Sequence, residues 1–129
     1  MKILVIEDNP TDARLAGAVL RIDGHHVTDS PSGEGGLSAA MSERPDVILL
    51  DLRLPGINGL EVTRALRRDP RTCATPIVAV TSYPEQYLRD ELLAAGCDAY
   101  LVKPVDTREL SRKIENVVHR KEQERRLEP

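Results

Sequence analysis

The sequence predicts an α/β fold, a parallel sheet with helices packed on both of its faces. Three observations predict it. Short apolar runs rich in Val and Ile recur along the chain, amphipathic stretches separate them, and glycines or capping residues stand at several joins. The runs are continuous rather than alternating, the pattern of strands covered on both sides.

The first run, Ile3–Ile6, lies in KILVIED and stops on Glu7 and Asp8. A helix should follow, because Leu15, Val19 and Ile22 share a face and Gly24 stands where it would end. A weaker strand centres on Val27, and Leu37, Ala40 and Met41 mark the second helix. The third strand, Val47–Leu50, lies in DVILLDLRLPG and runs into Asp51 before a Pro-Gly turn. Asn58 and Glu61 form a capping-box pattern ahead of Val62, Ala65 and Leu66 in the third helix. The fourth strand, Ile77–Val80, leads into Thr81. Ser82 with Glu85 should cap a fourth helix carrying Leu88, Leu92 and Ala95, with Gly96 as its stop. Ala99–Val102 is the fifth strand; Asp106 with Glu109 should cap a fifth helix with Leu110, Ile114, Val117 and Val118 inside. From His119 onward HRKEQERRLEP has one apolar residue, Leu127. Residues 1–118 therefore read as the domain, and 119–129 as a charged helix extension or a linker stub.

At 129 residues the chain suits a single domain with a continuous core. Three Tyr and no Phe or Trp leave that core to Leu, Val, Ile and Ala. A net charge of −3 gives no general attraction to nucleic acid, and no aromatic platform lies among basic residues. Cys73 and Cys97 have neither metal nor redox spacing, and free thiols suit a reducing compartment. The apolar start ends in acids, too soon for a signal peptide or a membrane span, so a cytoplasmic location is expected. His25, His26 and His119 read as surface residues away from the acids.

In open parallel sheets ligands bind beyond the carboxyl ends of the strands, and Glu7, Asp8, Asp51 and Thr81 all fall there. Three carboxylates gathered at two strand ends repel one another. A hard dication relieves that repulsion, and Mg²⁺ suits the set, since it takes carboxylate, carbonyl and water oxygens around a phosphate. Taken singly, each acid could equally cap the helix that follows it. Joined by Thr81 and Lys103, the set points to a site.

The stretches VIEDN with Glu7 and Asp8, LLDLRLPGINGLE around Asp51, VAVTS with Thr81, and AYLVKP with Tyr100, Lys103 and Pro104 resemble the receiver domain of two-component response regulators. The resemblance spans about residues 2 to 118, with all motifs in order. It implies a flavodoxin-like three-layer sandwich, with a five-stranded parallel sheet of order 2-1-3-4-5 and five helices. It further implies that Asp51 is the phosphoacceptor, a carboxylate nucleophile forming an acyl phosphate. Asp8, Asp51 and the backbone carbonyl of Arg53 would ligate Mg²⁺, with Glu7 acting through water. Lys103 would hold one phosphoryl oxygen and Thr81 would donate to another. The Lys103–Pro104 bond would be cis. Thr81 and Tyr100 would switch the surface formed by the fourth helix, fifth strand and fifth helix. Arg53 and Tyr83 occupy positions that tune hydrolysis of the acyl phosphate, and a bulky Tyr83 would screen attacking water. Glu7 departs from the Asp frequent at its position, and Ser82 from a frequent Ala.

The implied partners are a sensor histidine kinase or histidine phosphotransfer protein as donor, and a downstream protein target. Homodimerisation on phosphorylation is a further expectation. Contact with nucleic acid or membrane is not expected, since no basic helix-turn-helix region is present. Such a chain is a signalling module rather than a conventional enzyme, although it would catalyse its own phosphotransfer and autodephosphorylation. Two readings stand beside this one: a receiver-like module that binds partners without phosphorylation, and a receiver cut from a longer regulator with an output domain. A Mg²⁺-dependent phosphatase with an Asp nucleophile is disfavoured, because Arg53 replaces the acid that would protonate a leaving group.

Overall fold

The protein is described by a computed structural model over residues 1–82 and 89–127. Five strands, β1 (Lys2–Ile6), β2 (His26–Ser30), β3 (Val47–Asp51), β4 (Ile77–Thr81) and β5 (Ala99–Val102), alternate with five helices. The helices are α1 (Pro10–Ile22), α2 (Gly33–Glu43), α3 (Gly59–Arg68), α4 (Arg89–Ala95) and α5 (Leu110–Arg126). Every strand pair is parallel, and the order is β2-β1-β3-β4-β5, as the family resemblance implied. The register sets Ile3 opposite Val47, Ile48 opposite Ile77 and Val78 opposite Ala99.

Because successive strand residues point to opposite faces, the apolar runs divide between two cores. Leu4, Ile6, Ile48, Leu50, Ile77 and Ala79 pack with Ala40 of α2, Val62 and Leu66 of α3 and Leu92 of α4. Ile3, Val5, Val47, Leu49, Val78 and Val80 pack with Leu20 of α1 and Leu110, Ile114 and Val117 of α5. The continuous runs are thus explained: both parities are buried. Each fully buried Leu or Ile contributes about 1.5–3 kcal/mol of transfer free energy.

Local chemistry sets most helix ends. Asn9 accepts from the amides of Thr11 and Asp12 at the head of α1; Asn58 accepts from Glu61 N as the expected cap, and its side-chain amide, rather than its backbone N–H, donates to the Glu61 carboxylate. Gly24 and Gly96 adopt φ of 93° and 113° just past α1 and α4, where a left-handed residue ends a helix at least strain. Three expectations need correction. The buried face of α1 is Ala13, Gly17 and Leu20, whereas Leu15 and Ile22 are 53 % and 84 % exposed. The small residues let α1 lie close to the sheet, so its large aliphatics are not the ones facing inward. Asp106 does not cap α5, which begins at Leu110; its carboxylate accepts instead from the amide and guanidinium of Arg108, two residues on. His25 is no surface residue: its side chain is 7 % exposed, between the N-terminal amine at 3.2 Å and the Glu115 carboxylate at 2.9 Å. His26, the first residue of β2, and His119 on α5 are exposed, as expected. Glu85 and Leu88 lie outside the described residues.

The charged segment after Val118 continues α5 as far as Arg126. It is tied down by Asp98, which precedes β5 and whose carboxylate accepts from Lys121 Nζ, Arg67 Nη2 and the amide of Ile77. Among the described residues no helix is long and apolar enough to cross a membrane.

Candidate functional site

The sheet ladder runs one step past the strands. Glu7 N donates to Ser30 O at 3.0 Å, Leu52 N to Val80 O at 3.0 Å and Lys103 N to Thr81 O at 2.9 Å. These bonds fix Glu7, Asp51 and Lys103 along one rim of the sheet. Gly59 closes the rim from below: its amide donates to Leu52 O at 3.1 Å, and a Cβ there would stand 2.7 Å from the Asp51 carbonyl oxygen. The first turn of α3 can therefore abut the end of β3 directly.

At this rim one ammonium serves several acids. Lys103 Nζ donates to Glu7 Oε1 at 2.7 Å, to Asp12 Oδ2 at 3.0 Å and to Asp51 Oδ2 at 3.3 Å. The other Asp51 oxygen accepts from Arg53 N at 2.9 Å. Glu7 and Asp51 are 8 % and 6 % exposed, while Asp8 is exposed. Oxygens of Glu7, Asp8 and Asp51 all lie within 4.8 Å of one another. Burial, together with the hydrogen bond to Asp51 and its negative charge, pushes the Glu7 carboxyl up to about 7, although Lys103 pulls the other way. Burial opposes the charged form of Lys103, yet its bonds to Glu7 and Asp12 and the Asp51 charge outweigh this and hold its pKa above the ordinary lysine value. Without further positive charge the acids are underneutralised, and hard carboxylate oxygens at this spacing fit a Mg²⁺ ion.

Thr81 is buried at the end of β4. Tyr100, opposite Ala79 in the register, lies on the same sheet face as Thr81 and is 39 % exposed. The Lys103–Pro104 peptide is cis. Tyr83 lies outside the described residues. Beside the rim a cleft of about 370 Å³ opens between α1 and the start of α5, lined by Leu15, Ala16, Asp51, Val105 and Leu110. Sequence reasoning missed Asp12. Its signal was faint: an acid one helical turn after Asp8, brought to Lys103 from 91 residues away.

Residues 3–115 match the model of the response regulator receiver domain family. Protein PilH of Pseudomonas aeruginosa is 36 % identical over 117 residues, covering 91 % of this chain and 97 % of that one. Response regulator ArlR of Staphylococcus aureus is 37 % identical, and the chain spans 54 % of its length. Among solved structures, the receiver domain of sensor histidine kinase PA1611 from Pseudomonas aeruginosa, with a magnesium ion coordinated in its active site cleft, superposes at a TM-score of 0.84. It shares 36 % identity, over 92 % of this chain and 97 % of that one. Vibrio cholerae chemotaxis protein CheY4 superposes at 0.83 with 29 % identity, over 90 % of this chain and 97 % of that one. Fold and rim together define a receiver domain of two-component signalling. The chain belongs to the response regulator receiver domain family.

Proposed function

We propose that this protein accepts a phosphoryl group on Asp51 and passes the event to a protein partner. One observation carries the reading: the buried Asp51 carboxylate lies 3.3 Å from Lys103 Nζ and within 4.8 Å of the Glu7 and Asp8 oxygens. An Asp51 carboxylate oxygen would attack phosphorus in line, forming the acyl phosphate as the P–N bond to a donor histidine breaks. The histidine leaves with the bonding electron pair and takes up a proton. Lys103 would hold a phosphoryl oxygen as a point charge, and Thr81 would donate its hydroxyl to another. Asp8, Asp51 and the Arg53 carbonyl would hold Mg²⁺, with Glu7 through water; bound there, the ion neutralises charge on the transferring group.

The readout would follow the sheet. Movement of Thr81 toward a phosphoryl group opens space on the face it shares with Tyr100, and Tyr100 can turn inward from its exposed position. α4 and β5 present Leu93, Tyr100 and Val102 to solvent, apolar side chains suited to contact with a partner or a second copy of the chain. The donor would be a sensor histidine kinase or a histidine phosphotransfer protein in the cytoplasm. Residues 119–126 extend α5 within the same domain. Hydrolysis of the acyl phosphate would be the protein's own reaction, tuned by Arg53 and Tyr83.

Intact-protein mass after incubation with acetyl phosphate and Mg²⁺ tests this. One phosphoryl group should appear on the native chain and be absent from Asp51→Asn and from samples with chelator. A folded native chain that stays unmodified would leave instead a receiver-like module that binds partners without phosphorylation.

A further inference from the structure

The geometry points to Asp12 as a latch on Lys103, a positioning residue that restrains phosphorylation of the resting protein; this rests on the reading of Asp51 as acceptor. An ammonium has three N–H donors, and here each has a carboxylate partner. The longest of the three bonds, 3.3 Å, is the one to Asp51; those to Glu7 and Asp12 are 2.7 and 3.0 Å. The lysine is thus parked away from the residue it would serve. An incoming phosphoryl oxygen must take a donor from one of these acids.

Asp12 is the partner best placed to yield. Glu7 and Asp51 stand on the buried rim of the sheet, whereas Asp12 belongs to the first turn of α1 and its side chain is 44 % exposed. Asn9 fixes its backbone by accepting from its amide at 3.1 Å, so the carboxylate is aimed at the rim by the cap rather than by packing. It also sets a negative charge beside the path of an anionic donor. Both effects, competition for the donor and repulsion of the phosphoryl group, have the same sign. Neutralising Asp12 should speed phosphorylation.

The test compares wild type, Asp12→Asn and Asp12→Glu in acetyl phosphate time courses with Mg²⁺, followed by intact mass. Asp12→Asn should gain its phosphoryl group roughly threefold to tenfold faster, a barrier lower by about 0.7–1.4 kcal/mol. Asp12→Glu, which keeps the charge and the reach to Nζ, should stay near wild type. Beryllofluoride titrations followed by thermal shift read the same release without phosphoryl transfer, and the Asn midpoint should fall by a similar factor. An Asn variant as slow as wild type, with an unchanged beryllofluoride midpoint, overturns the latch while Asp51 still phosphorylates. A merely structural role would slow both variants and lower their melting temperatures. A wild type that takes up no phosphoryl group overturns the underlying reading, and the latch with it.

Discussion

Both carboxylate oxygens of Asp98 lie 3.0 Å from the Lys121 ammonium, joining the residue before β5 to the charged half of α5. Arg67 and the Ile77 amide share the same carboxylate, so one side chain fastens α3, β4 and α5 together. Asp98→Ala would strand two largely buried cations and an amide. It should cost about 2–3 kcal/mol, read as a lower urea midpoint by circular dichroism. Lys121→Met removes an ammonium that burial already disfavours and keeps its aliphatic length. Its cost should stay below about 1 kcal/mol.

The approach of α3 to the end of β3 makes Gly59 the most exacting position near the acceptor. A Cβ would meet Leu52 Cα at 2.5 Å and the Asp51 carbonyl oxygen at 2.7 Å, and neither backbone atom can step aside. Gly59→Ala should therefore lose about 1–3 kcal/mol by overpacking. It should also slow acetyl phosphate labelling, because it displaces the peptide that carries Asp51. A stable variant labelled at the native rate would contradict this.

The raised Glu7 pKa fixes a pH dependence of metal-free stability. The folded carboxyl titrates near 7, against an ordinary value of 4.5. Between these values the folded state binds more protons than the unfolded state, so stability falls as pH rises. The contribution is fully present below the ordinary value and is gone above about 7. In chelator the urea midpoint should be higher at about pH 5.5 than at about pH 7.5, and Glu7→Gln should flatten the slope. Asp69 and Asp106, held low by hydrogen bonds from Arg71 and Arg108, titrate below this window.

Added Mg²⁺ should reverse that trend. At neutral pH and above, where Glu7 is ionised, a saturating dication should raise the melting temperature, with about 1–3 kcal/mol expected at 10 to 100 times its dissociation constant. The gain should shrink at about pH 5.5, where protons compete. Asp8→Asn should remove most of it without lowering metal-free stability, because Asp8 is exposed.

The sheet was legible because both parities of each strand are buried, leaving unbroken Val and Ile runs such as Ile3–Ile6 and Val47–Leu50. The gathering of Glu7, Asp8 and Asp51 was legible for the same reason: each acid ends or follows such a run. The facing of α1 was not. Its inward side is Ala13, Gly17 and Leu20, and a search for large aliphatics finds Leu15 and Ile22 instead. Asp12 was hidden because its partner comes from the far end of the chain. His25 was misread because its burial depends on Glu115, another distant residue. Local pattern carries the strands and the Asn58 cap, while pairings across the fold need the fold itself.

The pleat has a last consequence. Val80, opposite Asp51, belongs to the core beneath α1 and α5, and Ala79, opposite Tyr100, to the core beneath α2, α3 and α4. The sheet is a wall between two rooms, and Asp51 and Thr81 are doorposts on opposite sides at its open end. Rearrangement in one room should reach the other at the two ends of the sheet, through the Asp98 tie at one end and through a group bound between those two posts at the other. A stimulus arriving along α1 can reach the face of α4 by that doorway, without disturbing the masonry in between.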